Sequence, residues 1–173
     1  MNNNFLKPGE VAFSEGSFLV KLGAVCVILM GAKHSSAIVF EGDTVFVPHG
    51  FYVHALIPSV LVSCDPDKQK YDDFILDQLC FASRLRSADI RAAIMWLINR
   101  LLVTRRKDTI KIHIVQMAIA LGTSREWMGK GLASLILKNK VIKNHDNTFS
   151  INANYDCDYI DDDFDRNRGD RIA

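Results

Sequence analysis

Residues 111–152, KIHIVQMAIALGTSREWMGKGLASLILKNKVIKNHDNTFSIN, decide the fold of this chain. Ala118 and Gly122 lie four residues apart. This spacing is typical of the end of a helix where a small residue admits a second helix and a glycine takes the tight turn. Thr123 or Ser124 then caps the second helix, because a hydroxyl oxygen accepts from its free N–H groups. The stretch predicts a helix-turn-helix.

The second helix of this unit is predicted to have one buried and one exposed face. Met128, Leu132 and Leu135 recur at helical spacing and form the buried stripe. After the helix, residues 140–143 and 148–152 are strand-like and flank a turn, which predicts a two-stranded wing. A helix-turn-helix with a wing is typical of a DNA-reading domain. The opposite face of the helix carries Glu126, Lys130 and Ala133, with Arg125 and Gly129 on its shoulder.

Residues 122–132, GTSREWMGKGL, resemble the recognition segment of the Crp/Fnr regulators, the cyclic-AMP receptor protein family, which typically shows G-T-S-R-E-x-V-S-R-x-L. The resemblance implies that Arg125, Glu126 and Lys130 contact bases. Arginine suits bidentate recognition of guanine, glutamate accepts from cytosine, and lysine reaches guanine or phosphate. The resemblance therefore implies a transcriptional regulator that binds double-stranded DNA.

Several residues of this segment are unusual for a recognition helix of the family. Lys130 stands where the family has a second arginine, and Gly129 and Gly131 interrupt the helix. Each glycine is expected to cost the helix about 1 kcal/mol relative to alanine. Trp127 is bulky for a position next to the DNA face. These departures leave open a second hypothesis, in which the unit is a protein-interaction module that no longer reads bases.

The first third of the chain is predicted to form a small antiparallel roll. Glycine-containing turns separate apolar segments at intervals of about eight to twelve residues, which is typical of short strands. Residues 7–17, KPGEVAFSEGS, resemble the opening K-P-G-E-x-x-F-x-E-G-D of the cupin-like sensor domain of the same family. Strands are predicted at residues 11–13, 18–21, 25–30, 37–40, 44–47 and 51–63.

This roll is expected to be a shortened, degenerate sensor. The family binds a cyclic phosphate with an arginine in a short cassette, but residues 48–63 contain no arginine. Control by a cyclic nucleotide is therefore not expected. Residues 90–92, Ile-Arg-Ala, and 149–152, Phe-Ser-Ile-Asn, are similar to the IprA-like winged-helix regulators, which also join a shortened roll to a winged helix.

A helix is predicted to connect the roll to the DNA-reading unit. Asp65 suits a helix cap and Pro66 the first helical position. In the resembled family this helix pairs with its twin in a homodimer, although the pattern also fits a helix packed on its own roll. A further helix is predicted at 90–103, followed by a basic connector at 104–108. The predicted dimer stripe is Tyr71, Ile75, Leu79, Ala82 and Leu85.

The predicted fold class is α+β, in four segments. A cupin-like β-roll occupies residues 1–64, the connecting helix 65–86, a winged helix-turn-helix 87–154, and an acidic disordered tail 155–173. Residues 84–143 contain 13 Lys/Arg and 3 Asp/Glu, a local excess of +10 in a chain of net charge +1. Such a block suits phosphate contacts, or forms a solvated face. The expected phosphate and wing contacts are Arg105, Arg106, Lys107, Lys111, Thr123, Ser124, Lys143 and His145.

No cofactor, metal site or enzymatic activity is expected. The cysteines at 26, 64, 80 and 157 show no metal-ligand spacing, and His34, His49 and His54 lack a close H-x-H pair. The N-terminus does not resemble a signal peptide, and the apolar stretch 18–30 is too short to span a membrane. We therefore expect a cytoplasmic protein whose partners are DNA, a second copy of itself, and RNA polymerase or another regulator.

Overall fold

The computed structural model describes residues 3–32, 35–65 and 89–152. Predictions that fall on other residues lie outside this part of the chain. They concern the acidic tail, the connecting helix beyond Asp65 with its stripe Tyr71, Ile75, Leu79, Ala82 and Leu85, and also His34, Cys80 and Cys157.

The first described segments form two four-stranded antiparallel sheets. Their strands are β1 Asn3–Leu6, β2 Val11–Ala12, β3 Gly16–Leu22, β4 Ala24–Leu29, β5 Ser35–Phe40, β6 Thr44–Val47, β7 Phe51–Ala55 and β8 Ser59–Ser63. The strand orders are β1-β8-β3-β6 and β2-β7-β4-β5. Together with the helices that follow, these sheets confirm a mixed α+β fold.

Two details differ from the sequence prediction. Strand β1 was missed, and the single strand predicted at 51–63 is wrong, since the chain bends at residues 56–58.

The interior of the roll is filled by apolar side chains from both sheets. In β4 and β5 these are the alternate residues Val25, Val27 and Val39, because successive side chains of a strand point to opposite faces. The remaining members of this core include Phe18, Val20, Val45, Val47, Val53 and Leu61. The bend at 56–58 buries Leu56 and Ile57 completely, outside this interior.

Helix α1, Ile90–Arg105, follows the roll. Asp89 caps it as its side chain accepts from the backbone N–H of Arg91 at 2.8 Å. The helix runs two residues further than predicted and takes in Thr104 and Arg105 of the expected connector. It is buried on several sides, since Ala93, Met95, Trp96 and Ile98 are buried together with Ile94, Leu97 and Leu101.

Two shorter helices, α2 (Ile114–Ala120) and α3 (Arg125–Leu137), are joined by a tight turn. Gly122 has a φ of +63°, in the left-handed region that favours glycine. The N–H of Thr123 donates to the carbonyl of Ala118 at 3.0 Å, which is the long hydrogen bond of a Schellman motif. The φ of Gly122 and this hydrogen bond confirm the predicted tight turn at Gly122.

A hairpin follows α3, with strands β9 (Val141–Lys143) and β10 (Phe149–Ile151) paired antiparallel. At its tip the carboxylate of Asp146 accepts from the backbone N–H of Thr148 at 3.1 Å. Residue 147 completes the turn in the left-handed region, with a φ of +60°. None of the helices in the described ranges is both long and apolar enough to cross a membrane.

The helices pack directly on the roll. Their shared core joins residues of α1, α2 and α3 to the outward side chains of β4 and β5, among them Cys26, Ile28 and Ile38. At the edge of this contact the hydroxyl of Ser35 donates to the carbonyl of Ala120 at 2.6 Å. Strand β4 is therefore buried on both faces, which accounts for its unbroken apolar sequence.

The two glycines of α3 have different surroundings. A Cβ added at Gly131 would lie 2.8 Å from Cδ1 of Ile94 and 3.4 Å from side-chain carbons of Ile90, so this glycine lets α3 approach α1 closely. A Cβ at Gly129 would meet no atom within 4 Å. Only Gly131 thus has a packing reason to lack a side chain.

Candidate nucleic-acid interface

Helix α3 separates a buried face from an exposed one. Met128, Leu132 and Leu135 are at most 3% exposed and form the core side, as the sequence predicted. Arg125 and Glu126 are exposed on the first turn. The outward face carries the three residues expected to contact bases, Arg125, Glu126 and Lys130, with Ala133 and Leu137 further along.

Lys130 is held by two neighbours on this face. Its Nζ lies 2.7 Å from Oε1 of Glu126, one helical turn earlier. The same Nζ lies 5.7 Å from the ring centroid of Trp127, within the range of a cation–π interaction. All three side chains are accessible to solvent, so the cluster is available to a ligand that offers better partners to the ammonium and the carboxylate.

The entry to α3 is fixed by its cap. The hydroxyl oxygen of Ser124 accepts from the backbone N–H of Trp127 at 3.2 Å, and Ser124 remains exposed. Thr123 is half-buried and serves the turn through its backbone N–H. Of the two residues expected either to cap the helix or to contact phosphate, Ser124 is the cap.

Three of the four cations expected near the end of α1 are exposed, namely Arg106, Lys107 and Lys111. Arg106 adopts the left-handed conformation, with a φ of +48°, and ends the helix. Arg105 differs from them. It is half-buried, and its Nη1 is buried without a hydrogen-bond partner among the described residues. Its guanidinium is therefore less accessible to a phosphate than the side chains of the three exposed cations.

The hairpin presents Lys143 and His145 to solvent. Between them and the returning strand stands Asp146, whose pKa is lowered by hydrogen bonds from the Thr148 side chain and backbone, and to a lesser degree by the charge of Lys111. Asp146 therefore stays ionised at neutral pH. The hairpin tip is electrostatically mixed, with a fixed carboxylate close to the two expected contact residues.

The histidines of the roll do not form a shared site in the described residues. His49 is exposed and its Nδ1 lies 2.5 Å from Oε1 of Glu15. His54 is half-buried, and burial lowers its pKa because the charged imidazolium is disfavoured. Burial likewise raises the pKa of the Cys26 thiol. Within the described ranges no group of three or more His, Cys, Asp or Glu side chains is placed to hold a metal ion.

The contact of Trp127 with Lys130 was not predicted from the sequence. The pattern alone indicates only a bulky residue beside the DNA face. The available signal was the spacing of three residues between an aromatic and a cationic side chain, which brings the two together on a helix surface. Nor did the sequence indicate that Arg105 would be half-buried.

Comparison with known proteins gives a likeness in fold. No family model matches the sequence, and no curated protein matches it. A CRP-family transcriptional regulator from Thermus thermophilus superposes with a TM-score of 0.68 at 14% identity, over 94% of this chain and 96% of that one. A CRP/FNR-family regulator from the same organism gives 0.66 at 15%, over 97% and 100%. FixK2 from Bradyrhizobium japonicum gives 0.64 at 14%, over 92% and 94%.

Proposed function

We propose that this protein is a sequence-specific transcriptional regulator of the Crp/Fnr type, which binds double-stranded DNA through a winged helix-turn-helix. In this proposal α3 enters the major groove, and Arg125, Glu126 and Lys130 contact base edges. Arg106, Lys107 and Lys111, with Thr123, Ser124 and the hairpin residues Lys143 and His145, contact phosphates and position the helix. Arg105 is the weakest of the expected phosphate contacts, because part of its guanidinium is buried.

The observation that carries the proposal is the exposed face of α3. An arginine, a glutamate and a lysine stand on one accessible surface of a helix whose opposite side is fully packed. The likeness in fold to Crp/Fnr regulators supports a DNA-reading use for this surface. The excess of positive charge in residues 84–143 supplies the sequence-independent attraction that such binding requires.

A second part of the proposal is that no cyclic nucleotide controls the protein. The interior of the roll is filled by aliphatic side chains such as Val25, Val39 and Val53, each at most 1% exposed. The stretch 48–63 offers no arginine for a phosphate. Both observations favour a roll that has lost nucleotide control, as the resemblance to IprA-like regulators also implies.

The proposed assembly is a homodimer on a palindromic site. The resemblance to Crp/Fnr regulators implies pairing through the stripe Tyr71, Ile75, Leu79, Ala82 and Leu85. Two copies of α3 would then meet half-sites about one helical turn, roughly 34 Å, apart. RNA polymerase or another regulator is the expected protein partner at a promoter.

The experiment that tests the function is a selection from host genomic fragments at near-physiological salt. The wild type is compared with the double variant Arg125→Ala/Lys130→Ala. The expected result is enrichment of a palindrome by the wild type and loss of that enrichment in the variant. Weak binding without sequence preference, equal for both proteins, would contradict the proposal.

One observation favours an alternative, a protein-interaction module. Lys130 is already paired with Glu126 and lies 5.7 Å from the ring centroid of Trp127, so its ammonium has partners on this face without DNA. An exposed indole is also a common anchor in protein interfaces. The selection decides between the two functions, because an interaction module enriches no DNA sequence.

A further inference from the structure

Trp127 is an exposed aromatic side chain that does not belong to the hydrophobic core. It occupies the third position of α3 and is 61% exposed, whereas Trp96, the other tryptophan of the chain, is 7% exposed in the shared core. Its backbone N–H serves the Ser124 cap, but the cap needs no indole. The ring therefore presents a large apolar surface beside the residues proposed to contact bases.

The surroundings leave this ring accessible. Lys130 lies over the ring at 5.7 Å from its centroid, and the ammonium also contacts Glu126 at 2.7 Å. Gly129, on the shoulder of the same face, has open space where its side chain would be. A ligand approaching α3 from solvent thus meets the indole together with a lysine and a glutamate.

The chemistry of the major groove limits what an indole recognises there. Its floor presents hydrogen-bond donors and acceptors, and the one apolar group that distinguishes a base is the 5-methyl of thymine. Indole has a single N–H donor and no acceptor, so its large apolar surface cannot match the polar edges of guanine or cytosine. Burial of a methyl group against a ring is favourable because both leave water.

We infer that Trp127 is a specificity-determining residue that contacts a thymine 5-methyl group in each half-site. This inference rests on the proposed function and adds a base preference that Arg125, Glu126 and Lys130 do not supply. Because Lys130 contacts the same ring, its ammonium is positioned next to the base that the indole touches. A guanine beside this thymine would present the acceptors O6 and N7 to it.

The test uses the full-length protein and the operator obtained by selection. Each thymine of a half-site is replaced in turn by deoxyuridine, which removes the methyl group and leaves every hydrogen-bonding group. Dissociation constants at fixed salt are measured for the wild type, for Trp127→Ala and for the control Leu137→Ala. Leu137 is 85% exposed at the far end of the same helix. Circular dichroism verifies that the variants keep their helical content.

The expected result is one thymine per half-site at which deoxyuridine weakens wild-type binding about fourfold, the effect of burying one methyl group. Trp127→Ala should bind the two DNAs equally, and Leu137→Ala should keep the fourfold difference. Insensitivity of the wild type at every thymine, or full sensitivity of Trp127→Ala, overturns the inference while the proposed function stands. Failure of the wild type to select any sequence overturns both, and the selection shows this before any deoxyuridine is introduced.

Discussion

The ring of Trp96 in α1 stands edge-on against the ring of Phe40 in β5, with centroids 5.8 Å apart and planes inclined by 78°. The guanidinium carbon of Arg100 lies 5.5 Å from the centroid of the same Phe40 ring. Phe40 and Trp96 are both almost fully buried. The contact joins the roll to the helical part of the chain, so we expect the stability of each to depend on the other.

Trp96→Ala should therefore destabilise the whole described fold. Truncating a buried tryptophan costs about 3–5 kcal/mol, through reduced burial and the cavity that remains. Urea unfolding followed by circular dichroism measures the change. Trp127→Ala is the matched control, because an exposed tryptophan should change stability by about 0.5 kcal/mol or less. If only the helical part loses stability while the roll unfolds as before, the shared core does not couple them.

Gly129→Ala and Gly131→Ala should differ although they make the same chemical change two residues apart. At Gly129 the added methyl has open space, so the variant should gain about 1 kcal/mol from helix propensity. At Gly131 the added methyl would lie too close to the buried Ile94. This steric strain opposes the gain in helix propensity, so Gly131→Ala should be less stable than Gly129→Ala. Chemical denaturation of both variants measures the difference. Equal stabilisation of both would show that Gly131 is not needed for the approach of α3 to α1.

Asp89 should make stability depend on pH in the acid range. Hydrogen bonds from the Arg91 side chain and backbone lower the pKa of Asp89 to about 2, from an ordinary value of 3.8. Since the folded pKa lies below the unfolded one, the contribution is fully present above about pH 4 and is lost as pH falls toward 2. The stability difference between wild type and Asp89→Asn should shrink over that range. A difference that stays constant from pH 5 to about pH 2 would contradict this assignment.

Lys107→Ala should weaken binding to every DNA sequence by the same factor, because an exposed lysine that contacts phosphate carries no base information. The slope of log K against log salt should fall in magnitude by about 0.9 for each phosphate that the variant no longer neutralises. Titrations at several salt concentrations give this slope. Lys21→Ala, an exposed lysine on the roll, is the control and should leave it unchanged. Weaker binding confined to some sequences would assign Lys107 to base contact instead.

Local features were the most predictable from sequence. Gly122 takes the left-handed turn, and Ser124, one of the two residues expected to cap α3, caps it, because both features depend on residues within one helical turn. The buried stripe of α3 was also predicted correctly, since its apolar residues recur in the sequence with the helical period of 3.6 residues. Strand spacing predicted the roll, apart from β1 and the bend that buries Leu56 and Ile57.

Long-range features were not predictable in the same way. The unbroken apolar run of β4 indicates burial on both faces, but nothing local identifies the helices as its cover. From the sequence, Gly131 is expected only to weaken the helix. Its packing role could not be predicted, because its neighbour Ile94 lies 37 residues away in the chain. In the candidate interface, the identities of Arg125, Glu126 and Lys130 came from a motif, whereas the contact of Lys130 with Trp127 required the geometry.

The most direct test of the account is the binding of Arg125→Ala to the selected operator and to every single-base variant of one half-site. If α3 reads bases, this variant should lose about 1–3 kcal/mol on the operator and should cease to discriminate at one base pair while keeping its preferences elsewhere. An equal loss on all sequences, with every preference of the wild type retained, would contradict base reading by Arg125 and with it the proposed role of α3.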